Sequence, residues 1–185
     1  MIKYGITCVL VIVAIGGGLM VYAAVGAQES QGKASGSEIR VGIFDSRAVA
    51  IAYFRSEAFN RPLKALRVEY KKAKAAGDEK RVKELDAQGP VLQALMHKQS
   101  FSTWPVDDIL EKIKGKIPEI AKEAKVDIIV SKWDIVYQRA GVELVDVTDL
   151  MVKPFNPDEK TLKIIKEIQK IEPVLLEELK HHQDS

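Results

Sequence analysis

Val126-Asp127-Ile128-Ile129-Val130-Ser131-Lys132, then Asp134-Ile135-Val136-Tyr137, then Val145-Asp146-Val147-Thr148-Asp149, is the stretch on which the fold class turns. The first piece is a short apolar, β-branched run bounded by polar residues, which reads as a buried strand. The second reads as a partner strand, Asp134–Gln138, and the third as the start of a helix. Upstream, Ile39-Arg40-Val41-Gly42-Ile43-Phe44 has the same strand character and closes on Asp45-Ser46-Arg47. A short side-chain oxygen at Asp45 or Ser46 can accept from the unpaired amides of a first helical turn. Two ends of strand character thus enclose a long charged middle.

That middle has a helical period. Val49, Ala52, Ser56, Phe59, Leu63, Leu66, Tyr70 and Ala73 follow one another in steps of three and four, a coiled-coil seam marred at Ser56. Gly77-Asp78 should end this helix, because glycine adopts the left-handed conformation a helix C-terminus favours. Val82, Leu85, Leu92 and Met96 form the answering stripe, and Val106, Leu110, Ile113, Ile117, Ile120 and Ala124 continue it. The reading is a long antiparallel helical hairpin; its outgoing helix, Ser46 to Ala76, would reach ~46 Å at 1.5 Å per residue. Pro62 and Pro90 should bend or break the two helices at matching heights, making a jointed arm, the alternative being that they end short helices in a compact bundle.

The order and pattern of these segments resemble the Skp/OmpH family of periplasmic chaperones. There a strand of the "IAVVDVQKV" kind opens the domain, and "YDLVLDK", "VLYA" and "DITDEV" segments close it. The resemblance covers residues 38–153 and implies an α+β, mainly α fold. A coiled-coil arm, about 46–124, stands on a small β-sheet trimerisation body, 38–45 and 125–153. It also implies an ATP-independent periplasmic holdase, a homotrimer whose arms enclose unfolded outer-membrane or periplasmic proteins. Val41, Ile43, Ile128, Ile129, Val130, Trp133 and Tyr137 would then be the body and subunit packing, the last two on one face of the second strand. Family members stop near Lys153. Here a C-terminal helical extension, 154–185, follows, with Leu162, Ile165, Ile168, Ile171, Leu175, Leu176 and Leu179 in helical period and Pro173 as a bend. Such an amphipathic helix must cover its own body, a neighbouring subunit or a partner.

Composition fits an extended helical protein: 46% hydrophobic, 29% charged and only 6% aromatic. The net charge of +2 is uneven. Arg61, Lys64, Arg67, Lys71, Lys72, Lys74, Lys80, Arg81 and Lys83 share their segment with only Glu69, Asp78 and Glu79, so the arm tip carries about six excess positive charges. It suits acidic client segments or an anionic lipid surface. Aromatic interleaving for base stacking is missing, which argues against nucleic acid. Tyr53, Phe54 and Phe101, off the seam, are candidate client contacts.

Residues 1–27 hold one charge, Lys3, before an apolar run, and read as a secretory signal or an N-terminal anchor. Residues 28–37 read as a flexible leader. The single cysteine, Cys8, falls in the apolar run. Both readings place the rest across a membrane, in the periplasm of a Gram-negative-type bacterium. If the run is retained, a membrane-anchored structural or adaptor protein is the alternative function. No catalytic, cofactor-binding or metal-binding residues are expected. His97 stands alone, His181-His182 diverge on a helix, and Asp107-Asp108 and Glu177-Glu178 read as helix-start charges.

Overall fold

The computed structural model describes residues 39–181; the signal or anchor, the leader, Cys8 and His182 lie outside the described residues. Three short parallel strands, β1 (Val41–Phe44), β2 (Ile128–Ser131) and β3 (Leu144–Asp146), form a sheet in the order β2-β1-β3. Register pairs Val41 with Ile128 and Leu144, and Ile43 with Val130 and Asp146. Paired residues point to one face, so Val41, Ile43, Ile128, Val130 and Leu144 share a face and Gly42, Phe44, Ile129 and Val145 the other.

Helix α1 (Ser46–Phe54) leaves β1 through Asp45, whose carboxylate accepts from the Arg47 amide. Eight of its nine residues are buried, so α1 is the central core helix and not the base of an arm. The helix breaks at Arg55–Ser56 before α2 (Glu57–Ala75). Ser56 is the N-cap: its hydroxyl accepts from the Phe59 amide and donates to the Tyr53 carbonyl at 2.6 Å. The polar residue that spoils the seam is therefore the break itself, and the predicted continuous helix from Ser46 to Ala76 is two helices.

Helix α2 ends on Gly77 at φ 69°. The Asp78 amide donates to Ala73 O and the Gly77 amide to Lys74 O, the bonding of a Schellman end. Asp78 then caps α3 (Glu79–Phe101) through its contact with the Arg81 amide. The eight seam positions are all buried or half-buried, whereas from Arg61 to Val91 only Ala73 and Leu85 are fully buried. Beyond its first turn α2 thus leans on α3 alone, over about 23 Å. Pro62 and Pro90 do not break either helix. The carbonyl each leaves unpaired, on Ala58 and Asp86, belongs to an exposed residue, where water can satisfy it.

The chain returns to the body at Ser102. The returning stripe is carried by two helices, α4 (Asp107–Ile113) and α5 (Ile117–Ala124), interrupted where Gly115 and Pro118 stand, with Pro118 in the first turn of α5. After β2, a 3₁₀ turn at Lys132–Asp134 and an irregular crossing to Gly141 (φ 85°) replace the predicted strand Asp134–Gln138. The correction follows from topology: β3 is parallel to β1, and a parallel partner requires a crossover rather than a hairpin. Val145 and Asp146, read as a helix approach, are that third strand, and α6 (Thr148–Val152) starts after it. A 3₁₀ turn at Lys153–Phe155 leads to α7 (Glu159–Ile168) and α8 (Leu176–His181), parted around Pro173. Helix α7 packs on α1 with Ile165 and Ile168 buried, so the extension covers its own body.

Gly42 lies under this packing. A Cβ there would come within 3.1 Å of Val126 Cγ2, 3.2 Å of Val147 Cγ1 and 3.3 Å of Ile129 Cγ1. Two of these neighbours are buried valines with little rotamer freedom. Gly42→Ala should therefore destabilise the chain by about 1–3 kcal/mol, the usual cost of overpacking. Urea unfolding measures it, and an unchanged midpoint would show that the strand can move aside.

Candidate functional site

Two features have more chemistry than the fold requires. The first is the α2–α3 pair. Arg81 lies between Glu69 at 2.7 Å and Glu84 at 2.8 Å, and Lys64 is 3.8 Å from Glu57. Arg61, Arg67, Lys71, Lys72, Lys74, Lys80 and Lys83 are exposed and have no ion pair among the described residues. Lys72 and Lys74 lie in the last turn of α2, where the helix dipole welcomes cations. Lys80, Arg81 and Lys83 lie at the start of α3, where the dipole opposes them, and only Arg81 is compensated. Helix stability accounts for part of this charge and is worked against by the rest. Along the same pair runs a groove of about 400 Å³ lined by Leu63, Leu66, Tyr70, Leu85 and Leu92, with Arg67 at its side. Val68 and Val91 stand 52% and 71% exposed nearby.

The second feature is an ionic knot at the carboxyl ends of the strands, which the sequence did not reveal. Arg47 and Asp45 are fully buried and joined at 2.9 Å, and Lys132 reaches Asp45 at 2.7 Å. The Asp45 amide donates to Thr148 Oγ1 and Arg47 Nη1 to the Ile171 carbonyl. Trp133 lies beside both cations, 4.8 Å from the Arg47 guanidinium and 4.3 Å from Lys132 Nζ. Burial pushes the Asp45 carboxyl up, but hydrogen bonds from Arg47 and Lys132 and their charges outweigh it and hold it below the ordinary 3.8. The available signal was register: pairing Phe44 with Ser131 sets Asp45 beside Lys132.

The remaining candidates divide. Phe54 is in the core and Tyr53 is half-buried, in an aromatic cluster with ring centroids 5.0 Å (Phe54–Phe59), 5.4 Å (Tyr53–Phe59) and 5.7 Å (Tyr53–Phe155) apart. They close the root of the helix pair and offer little free surface, whereas Phe101 is 41% exposed. Val41, Ile43 and Val130 are half-buried and Ile128 is 46% exposed on one sheet face; Ile129 turns to the other, against the core. Trp133 sits in the turn and Tyr137, 81% exposed, in the crossing, so neither lies on a strand. His97 is exposed beside Phe101, Asp107-Asp108 and Glu177-Glu178 open α4 and α8, and Trp104 stacks under Lys98 at 4.9 Å. Among the described residues no helix is long and apolar enough to cross a membrane, and no cluster of three metal-ligating side chains occurs. No family model, curated protein or solved structure matches the chain.

Proposed function

We propose that the protein is an ATP-independent holdase that captures unfolded envelope proteins on its α2–α3 arm. The observation that carries this reading is uncompensated positive charge, set against a helix dipole, alongside a half-open apolar groove on a helix pair that leans on little else. An unfolded chain offers apolar side chains to the groove and acidic stretches to the tip, each contact weak. Several arms joined in one assembly turn weak contacts into retention through effective concentration.

The sheet supports such an assembly. Parallel sheets are ordinarily covered on both faces, yet helices cover one face here. Over the other, among the described residues, lies only the crossing, with Val136 fully exposed and Tyr137 nearly so. Among the described residues, strands β2 and β3 are also unpaired along their outer edges. An edge of β2 meeting β3 of the next copy is a head-to-tail contact, which gives a ring when the rotation between copies closes and a filament when it does not. We take the ring to be a homotrimer, as the Skp/OmpH resemblance implies, in the periplasm. The adaptor alternative loses one of its surfaces, because α7 is occupied by α1.

The chain from Gln28 onward, at stoichiometric amount and without nucleotide, should suppress aggregation of a denatured outer-membrane barrel. Unaltered light scattering removes the proposal. Replacing Lys71, Lys72 and Lys74 by Asp should leave assembly intact and weaken capture of acidic clients several-fold at low salt, less at high salt, as screening dictates.

A further inference from the structure

The extension is tied to the arm root at separate points. Arg55, in the break between α1 and α2, donates from Nε to Thr161 Oγ1 at 2.9 Å. Buried Arg47 holds the Ile171 carbonyl at 2.9 Å. Beyond Ile171 the backbone is irregular to Leu175, and there the Val174 amide donates to the Phe101 carbonyl at 2.8 Å. That carbonyl ends α3, where helical partners run out. Beneath lies a cavity of about 530 Å³ between α1, α3 and α7, lined by Ile51, Phe54, Met96, Phe101, Ile168 and Ile171. The segment runs from one lining residue, Ile171, to its bond with another, Phe101, and is loosely held: Ile171 and Leu175 are 56% and 64% exposed and Pro173 and Val174 only half-buried, with no residue of it fully buried.

We propose that Ile171–Leu175 is a displaceable strap, an internal stand-in for an extended apolar client segment at the arm root, so that the extension gates the cavity. The occupant's chemistry is read from the strap itself. It is an extended chain that gives one amide proton to the Phe101 carbonyl and sets one aliphatic side chain, Ile171, in the cavity lining with Phe101 and Met96. The client half of the proposal rests on the holdase reading; the strap site does not.

The probe is a fluorescent peptide with the sequence of residues 169–178, added in trans to the full chain. Val174→Pro in the protein deletes the amide donor while keeping the extended backbone, and should strengthen binding of the unmodified peptide about fivefold, the worth of one hydrogen bond. A chain ending at Glu172, which keeps the Arg47–Ile171 contact, should bind it more tightly still. Equal binding by wild type and Val174→Pro overturns the strap, and so does failure of the shortened chain to bind while its circular dichroism is unchanged. If the shortened chain does not fold, the comparison of wild type with Val174→Pro decides alone. Barrel aggregation, scored in parallel, separates the two readings. Gated peptide binding without suppression keeps the strap and rejects the holdase, and suppression without gating does the reverse.

Discussion

Replacing Asp45 with Asn should cost the folded chain about 3–5 kcal/mol, because it leaves the buried Arg47 guanidinium without its counter-charge. The amide keeps the shape and can still accept from the Arg47 amide, so the loss isolates charge rather than volume. Lys132, partly exposed, can swing to water; Arg47 cannot. The pH dependence follows from the same contacts. A carboxyl held below its ordinary value in the folded state contributes stability that is complete above that ordinary value. It is lost as pH falls below about 4 towards the folded-state value. Urea midpoints of wild type and Asp45→Asn should be far apart at pH 7 and start to approach each other as pH falls below about 4. Equal midpoints at pH 7 would mean that Arg47 finds another acceptor, and the knot would not hold the strand ends.

What was legible in the sequence was local and periodic. All eight seam positions turn inward, and Gly77-Asp78 marks the turn, because side-chain spacing and a left-handed glycine act within a few residues. Charge at the arm tip was legible by composition alone. The errors came where distant partners decide. Ile135 and Tyr137 alternate like a strand, but β1 already has β2 and β3 as neighbours and the segment only crosses over. The prolines break neither helix, because water can satisfy the exposed carbonyls they leave unpaired. Ser56 looked like a flaw in a seam and is a cap. Phe54 looked peripheral until α1 proved to be surrounded by α3, α6 and α7. The Asp45–Arg47–Lys132 knot needs the register of two strands more than 80 residues apart in the chain, which no short window contains.

The largest expected effect concerns assembly. Ile128→Asp with Tyr137→Asp places carboxylates on the sheet's open side, where each residue is now 46% and 81% exposed. In an isolated chain Tyr137 faces water and Ile128 is about half covered, so the unfolding free energy should fall by about 1–2 kcal/mol, chiefly from Ile128, and leave the chain folded. In the proposed ring they are covered, and an unpaired charge at an interface costs about 2–5 kcal/mol. Counted once in each of three copies this comes to about 6–15 kcal/mol, at least about four orders of magnitude in the assembly constant. Ile129→Asp is the necessary contrast. Its side chain meets Gly42 on the covered face, so it should unfold the monomer rather than release it. Sedimentation with circular dichroism separates the outcomes: folded monomers for the double variant, loss of structure for Ile129→Asp, and a trimer for wild type. Released monomers should also lose most of their hold on an unfolded barrel, because a single arm has no effective concentration to draw on. A wild type that sediments as a monomer at micromolar concentration would leave the open face unexplained and remove the enclosing arms from the mechanism.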